Sequence, residues 1–230
     1  IEAGQSAVGD IFDWFKSSLC KDQTLSFEEL DQEATQLQPG ESGMVALDWN
    51  NGNRSVLIDT ELTGMLVGYA LHTTRAEVYR TLIEATAFGA RKILERIEEY
   101  GVKNEEVVAC GGIAEKNPLL MQIYADVLGK TMRLAGTQNT CALGASIAGA
   151  VAAPPAAGGY NTIPDAQNNM CSFKERVFEP SNENQSTYES LYEIYSELHD
   201  SFGSSEATPD HSDVMKRLLR IKRNVLQKTE

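Results

Sequence analysis

With 230 residues, 42% of them hydrophobic and 23% charged, the chain has the makeup of a globular protein with one good-sized core. A formal net charge of -13 repels nucleic acid and anionic membrane at long range, so neither is an expected partner. No apolar run approaches the roughly 20 residues of a membrane span, and a cytoplasmic protein is expected.

The four cysteines, Cys20, Cys110, Cys141 and Cys171, stand far apart, and His72, His199 and His211 do not join them at zinc-like spacing. Reduced thiols and no structural metal are the expectation. The first residue is Ile1, and Glu2 already belongs to a motif, so the chain is expected to begin inside a larger protein.

The turn Ala3-Gly4-Gln5-Ser6 leads into an amphipathic helix carrying Ile11, Phe12, Phe15 and Leu19, with Trp14 and Phe15 expected in the core. Residues 21–41 are polar and acidic. Their modest helical pattern through Phe27, Leu30 and Ala34 stops at Pro39-Gly40 and reads as a surface insertion. Met44 to Trp49 reads as a strand, and Asn50-Asn51-Gly52-Asn53 is a dense turn signal. Arg54 follows; its guanidinium could bind phosphate, but pinning the loop to Asp48 or Asp59 is the favoured role.

Thr74 with Glu77 predicts a capping box at the head of the longest helix, which runs to about Tyr100 and is closed by Gly101. Its stripe of Val78, Leu82, Ile83, Ala87, Ala90, Ile93, Leu94 and Ile97 is core, and its charged outer face is solvated.

Residues 107–152 concentrate the chemistry. Val107 to Cys110 is a short apolar run expected of a strand buried on both faces, ending abruptly at Gly111 and Gly112. Paired glycines allow positive φ and let a bulky ligand approach bare backbone, or they simply make a tight turn. Asn117 is a good N-cap and Pro118 a good first residue for a helix through Leu119, Leu120, Ile123, Tyr124, Val127 and Leu128, stopped by Gly129. A helix start near a glycine turn suits a phosphate or the polar rim of a nucleotide. The Rossmann fingerprint is not met, since Ala114 to Asn117 holds no third glycine, so no nicotinamide cofactor is expected.

Thr131 to Leu134 reads as a strand. Thr140 can cap a helix of small residues, Ala142, Gly144, Ala145, Ala148 and Gly149, open to close approach by another helix or by a ligand. It ends before Pro154-Pro155, where residues 154–180 begin an excursion over the surface. Residues 181–230 read as two amphipathic helices, one through Tyr188, Leu191, Tyr192, Tyr195, Leu198 and Phe202, then, after a break at 203–209, a basic one with Lys216, Arg217, Arg220, Lys222, Arg223 and Lys228.

Alternating strands and helices argue an α/β domain. The set Gly111-Gly112, Asn117, Gln122, Ala125-Asp126, Leu128-Gly129, then Ala142-Leu143-Gly144-Ala145, resembles the C-terminal signature of the FGGY carbohydrate kinases. Glu2 to Asp10 with Trp14, Leu47 to Arg54, and Glu84 to Arg91 extend the resemblance over roughly residues 2–153. It implies an actin-like ATPase, ribonuclease H-like C-terminal domain lacking its first strands: a nucleotide-binding core at 1–153, the excursion, and a helical extension at 181–230.

The implied activity is phosphorylation of L-ribulose with ATP and Mg2+ in arabinose breakdown, with D-xylulose as the alternative sugar. A non-catalytic actin-like domain that binds a nucleotide or a partner is the rival. The implied partners are the N-terminal half of the same kinase and a small sugar. The implied nucleotide-binding residues are Gly111, Gly112, Asn117, Gly9 and Asp13, with Glu2 near the sugar. The catalytic base is implied to lie upstream of Ile1, so no catalytic residue is assigned. Gly9 has a plain alternative in close helix packing, Asp13 in solvation, and Asn117 in capping alone.

Overall fold

A computed structural model describes residues 2–22, 24–204 and 214–227; side chains at 214–219 lie outside this description. The sequence enters α1, Gly9–Trp14, which continues into a wider π-helical turn, Phe15–Cys20. Phe12 and Phe15 are buried, while Trp14, expected in the core, is 41% exposed.

Helix α2, Phe27–Thr35, starts at a full capping box: the Ser26 hydroxyl accepts from Glu29 N (3.1 Å), and the Glu29 carboxylate accepts from Ser26 N (2.8 Å). Residues 21–41 are not the surface insertion that their polar sequence predicted. Leu30 and Ala34 are fully buried, because α2 lays its apolar face on the central helix.

That central helix is α3, Arg75–Glu99, with the expected Thr74/Glu77 capping box at its head and Gly101 in a left-handed conformation beyond its end. Tyr79, Ile83, Ala87 and Phe88 are among its deepest residues. Strands β1, Val45–Leu47, and β2, Met65–Val67, form an antiparallel pair with Ala46 opposite Leu66.

The second sheet has three strands in the order β3-β4-β5. β3, Glu106–Ala109, runs parallel to β4, Thr131–Ala135, and β5, Phe173–Phe178, pairs antiparallel to β4. Strand β3 is not buried on both faces as the apolar run predicted. Among the described residues it is an edge strand with a neighbour on one side, and Val108 is 48% exposed. Between β3 and β4 come α4, Gly112–Lys116, and α5, Pro118–Leu128.

Helix α6, Thr140–Ala152, is preceded by Asn139 without a side-chain cap, so Thr140 is the first helical residue rather than the cap. Among the described residues nothing comes within 4 Å of a Cβ placed on Gly144 or Gly149, so the close-packing reading of its small residues does not hold there. The stretch beyond it forms α7, Ile163–Met170, and returns to the sheet as β5.

The tyrosines of α8, Asn182–Gly203, close the core over α3. Tyr188, Tyr192 and Tyr195 ring Phe88 at centroid distances of 6.3, 6.0 and 5.5 Å. Buried hydroxyls need partners. The Tyr195 hydroxyl donates to Asp48 (2.8 Å), and Tyr188 joins the buried pair Arg80–Glu84 (2.9 Å), whose arginine also donates to Ala34 O. Burial raises the Asp48 carboxyl above its ordinary range despite hydrogen bonds from Gln5 and Tyr195.

The last helix, α9, Val214–Gln227, places Lys222 3.6 Å from Glu77, an ion pair with the first turn of α3. Most of the break expected at 203–209 lies outside the described residues, as does Lys228.

Candidate functional site

Four of the six candidate residues meet in one cleft. Helix α1 supplies Gly9, Phe12 and Asp13, α2 supplies Phe27 and Asp31, α3 supplies Tyr79, and the α4–α5 elbow supplies Gly112, Ile113, Lys116 and Asn117, enclosing a cavity of about 450 Å³. The lining is largely apolar and aromatic, with Asp13 and Lys116 exposed and Asp31 half-buried. An apolar recess with a few convergent polar groups is the usual form of a small-molecule site.

The two glycines divide their duties. Gly111 has φ 96°, a conformation that disfavours any side chain, and it sits at the N-cap of α4. Gly112 lines the cleft, and a Cβ added there meets nothing within 4 Å. The glycine turn does not open directly onto α5, as the spacing predicted; the short α4 intervenes, and Asn117 lies at the elbow.

Asn117 is 6% exposed and heavily engaged. Its Oδ1 accepts from Leu120 N (2.8 Å), which caps α5, while its Nδ2 donates to Asp31 Oδ1 (2.7 Å) and, more weakly, to the Tyr79 hydroxyl (3.4 Å). The Tyr79 hydroxyl itself donates to Asp31 Oδ1 at 2.9 Å.

Burial raises the Asp31 carboxyl, and the bonds from Tyr79 and Asn117 work against that rise. Tyr79 is pushed up by burial and then by the adjacent Asp31 charge, so its phenol stays a donor. Gly9 packs against Ile113, whose Cδ1 would lie 2.6 Å from an added Cβ.

Glu2 is elsewhere. It is exposed and pairs with Arg54 at 3.0 Å, so Arg54 pins the chain start rather than Asp48 or Asp59. Sequence reasoning did not single out Phe27, Asp31, Tyr79 or Lys116 for the site. A signal was present, since Phe27 and Asp31 are four residues apart and share a helix face with Leu30 and Ala34.

Mixed helix and sheet of this arrangement occurs in solved sugar kinases. Gluconate kinase from Lactobacillus acidophilus superposes with a TM-score of 0.75 at 20% identity, and xylulose kinase from Rhodospirillum rubrum with 0.74 at 23%, each over 86% of this chain and 38% of the other. The fold is therefore one that these sugar kinases share.

Residues 1–153 match the C-terminal domain of the FGGY family of carbohydrate kinases, and the chain belongs to that family. It is 50% identical over 226 residues to ribulokinase from Geobacillus thermodenitrificans and 49% identical over 226 to ribulokinase from Anoxybacillus flavithermus, in each case 94% of this chain. The chain spans about 39% of the length of these relatives.

Proposed function

We propose that this chain is the nucleotide-binding part of an ATP-dependent kinase that phosphorylates L-ribulose, acting in the cytoplasm in L-arabinose breakdown. One observation carries the reading: Gly9, Asp13, Gly112 and Asn117, the residues that the family resemblance marks for the nucleotide, line a single aromatic-walled cleft in a chain half identical to ribulokinases.

The apolar walls suit a flat base, and the open approach at Gly112 suits a ligand lying on backbone. Asn117 acts here through Asp31 and the α5 cap, which fix the wall. Phosphoryl transfer demands positioning and charge neutralisation. Magnesium enters as the partner of ATP, neutralising its phosphates. The sugar lies toward Glu2, and the remainder of the kinase supplies the base.

The test is calorimetric titration with Mg·ADP of the full-length polypeptide carrying this chain, beside its Gly112→Val variant. Valine at an open position leaves melting unchanged and abolishes nucleotide binding. Undiminished binding in the variant overturns the cleft assignment. L-ribulose outperforming D-xylulose as phosphoryl acceptor supports the sugar assignment; the reverse order transfers it to D-xylulose, and several fold neighbours are named xylulose kinases.

A further inference from the structure

Helix α2, with no part in the FGGY signature, forms one wall of the cleft. Phe27 and Asp31 point into the same space as Gly112 and Ile113. Asp31 Oδ1 accepts two hydrogen bonds, from Asn117 Nδ2 at 2.7 Å and the Tyr79 hydroxyl at 2.9 Å. Among the described residues Oδ2 accepts none.

Two donors therefore fix the carboxylate at one oxygen and leave the other for an occupant of the cleft. Around it stand Phe12, Phe27, Tyr79 and Ile113, so the ligand portion seated there is flat and largely apolar. A carboxylate in such a recess gains from a ligand that brings a donor and loses from one that does not.

We propose that Asp31 is a specificity-determining residue of the nucleotide site, whose Oδ2 accepts a hydrogen bond from an N–H or O–H donor of the nucleoside. The proposal rests on the nucleotide reading above. A nucleoside offers that chemistry from two places, the exocyclic amine of adenine and the ribose hydroxyls. Both are neutral donors compatible with an acceptor-only partner.

Asp31→Asn isolates the interaction. The amide oxygen must face Asn117 and Tyr79, which both donate, so the amide nitrogen faces the cleft and an acceptor becomes a donor. Binding of Mg·ADP, 2′-deoxy-ADP, 3′-deoxy-ADP and purine-riboside diphosphate, which lacks the 6-amino group, is measured by calorimetry on the full-length polypeptide and on this variant.

The expected result is a roughly ten- to hundred-fold loss of ADP affinity in the variant, the range for a hydrogen bond to a charged group. In addition, one analogue is weak in the wild type and no weaker in the variant, and the identity of that analogue names the donor. Equal weakening of all four nucleotides, or none, overturns the role of Asp31 while leaving the nucleotide site intact. Failure of the wild type to bind any of them overturns the nucleotide reading itself. Asp31→Ala gives the same cycle should the asparagine variant melt early.

Discussion

Asn117 joins three helices, and its loss can be dissected. In Asn117→Ala the cap on α5 goes, costing about 1 kcal/mol. The half-buried Asp31 also loses a charge-assisted donor at 2.7 Å, a bond of roughly 1.5–3 kcal/mol in kind. The two losses fall in one network, so together they come to about 2–4 kcal/mol.

Asn117→Asp separates the two parts, since one carboxylate oxygen still caps Leu120 N while the other replaces a donor with a charge facing Asp31. Two carboxylates in such contact hold one folded-state pKa above its unfolded value. Stability tied to that proton is present below the unfolded pKa and lost as pH rises through the folded one. Urea denaturation followed by circular dichroism reads both effects. Asn117→Ala should lower stability by the stated amount, and the deficit of Asn117→Asp against wild type should shrink as pH falls from neutral into the carboxylate range. A loss below about 1 kcal/mol for alanine, or a pH-independent deficit for aspartate, refutes the bracing role.

Gly89→Ala should reverse the usual sign. Alanine normally stabilises a helix interior by about 1 kcal/mol, but here its Cβ meets Asp48 Oδ2 and stands 2.6 Å from Gln5 Nε2, and overpacking of this kind costs about 1–3 kcal/mol in a thermal melt. A rise in melting temperature would show that the Gln5–Asp48 bond does not hold this contact. His199 is buried beside Trp49, at 5.2 Å between rings, and burial lowers its pKa from 6.5 against the opposing hydrogen bond to the Asp200 carboxylate. A depressed histidine contributes stability above its unfolded pKa that is lost as pH falls from 6.5 toward the folded value. His199→Phe should therefore flatten that part of the stability profile, and an unchanged slope would remove His199 as its source.

Legibility followed the range of the interaction. The two capping signals Thr74/Glu77 and Asn117/Pro118 stood in the sequence because they act within four residues. The left-handed glycines at 101 and 129 were legible for the same reason. The wall made by α2 was not. Its helix is short and its flanks acidic, so it read as an insertion; the reason it is core, the burial of Leu30 and Ala34 against α3, is a tertiary fact. Composition alone could not show β3 as an edge strand either, since Val107-Val108-Ala109 carries the same apolar run whether one face or two is covered.

The residues that carried the family resemblance are mostly scaffold in the structure. Asp126, 4% exposed, accepts from Gln122 Nε2, Ser181 N and Asn184 Nδ2, each at 2.8 Å, and so ties α5 to the start of α8. Ala125 is fully buried, and Gly129 supplies the left-handed turn that ends the helix. Asn117 fastens the other end of α5 to α2 and α3. Helix α5 is thus clamped at both ends, which fixes the elbow carrying Gly112 and Ile113 to the cleft. Of the two signature residues that line the cavity, Gly112 and Asn117, Asn117 is tied by its side chain, whereas Gly112 presents open backbone. Ligand contact and scaffold therefore separate by experiment within a single motif: Asp126→Ala strips a buried acceptor from three donors and should fail first in stability, whereas Gly112→Val should fail first in binding.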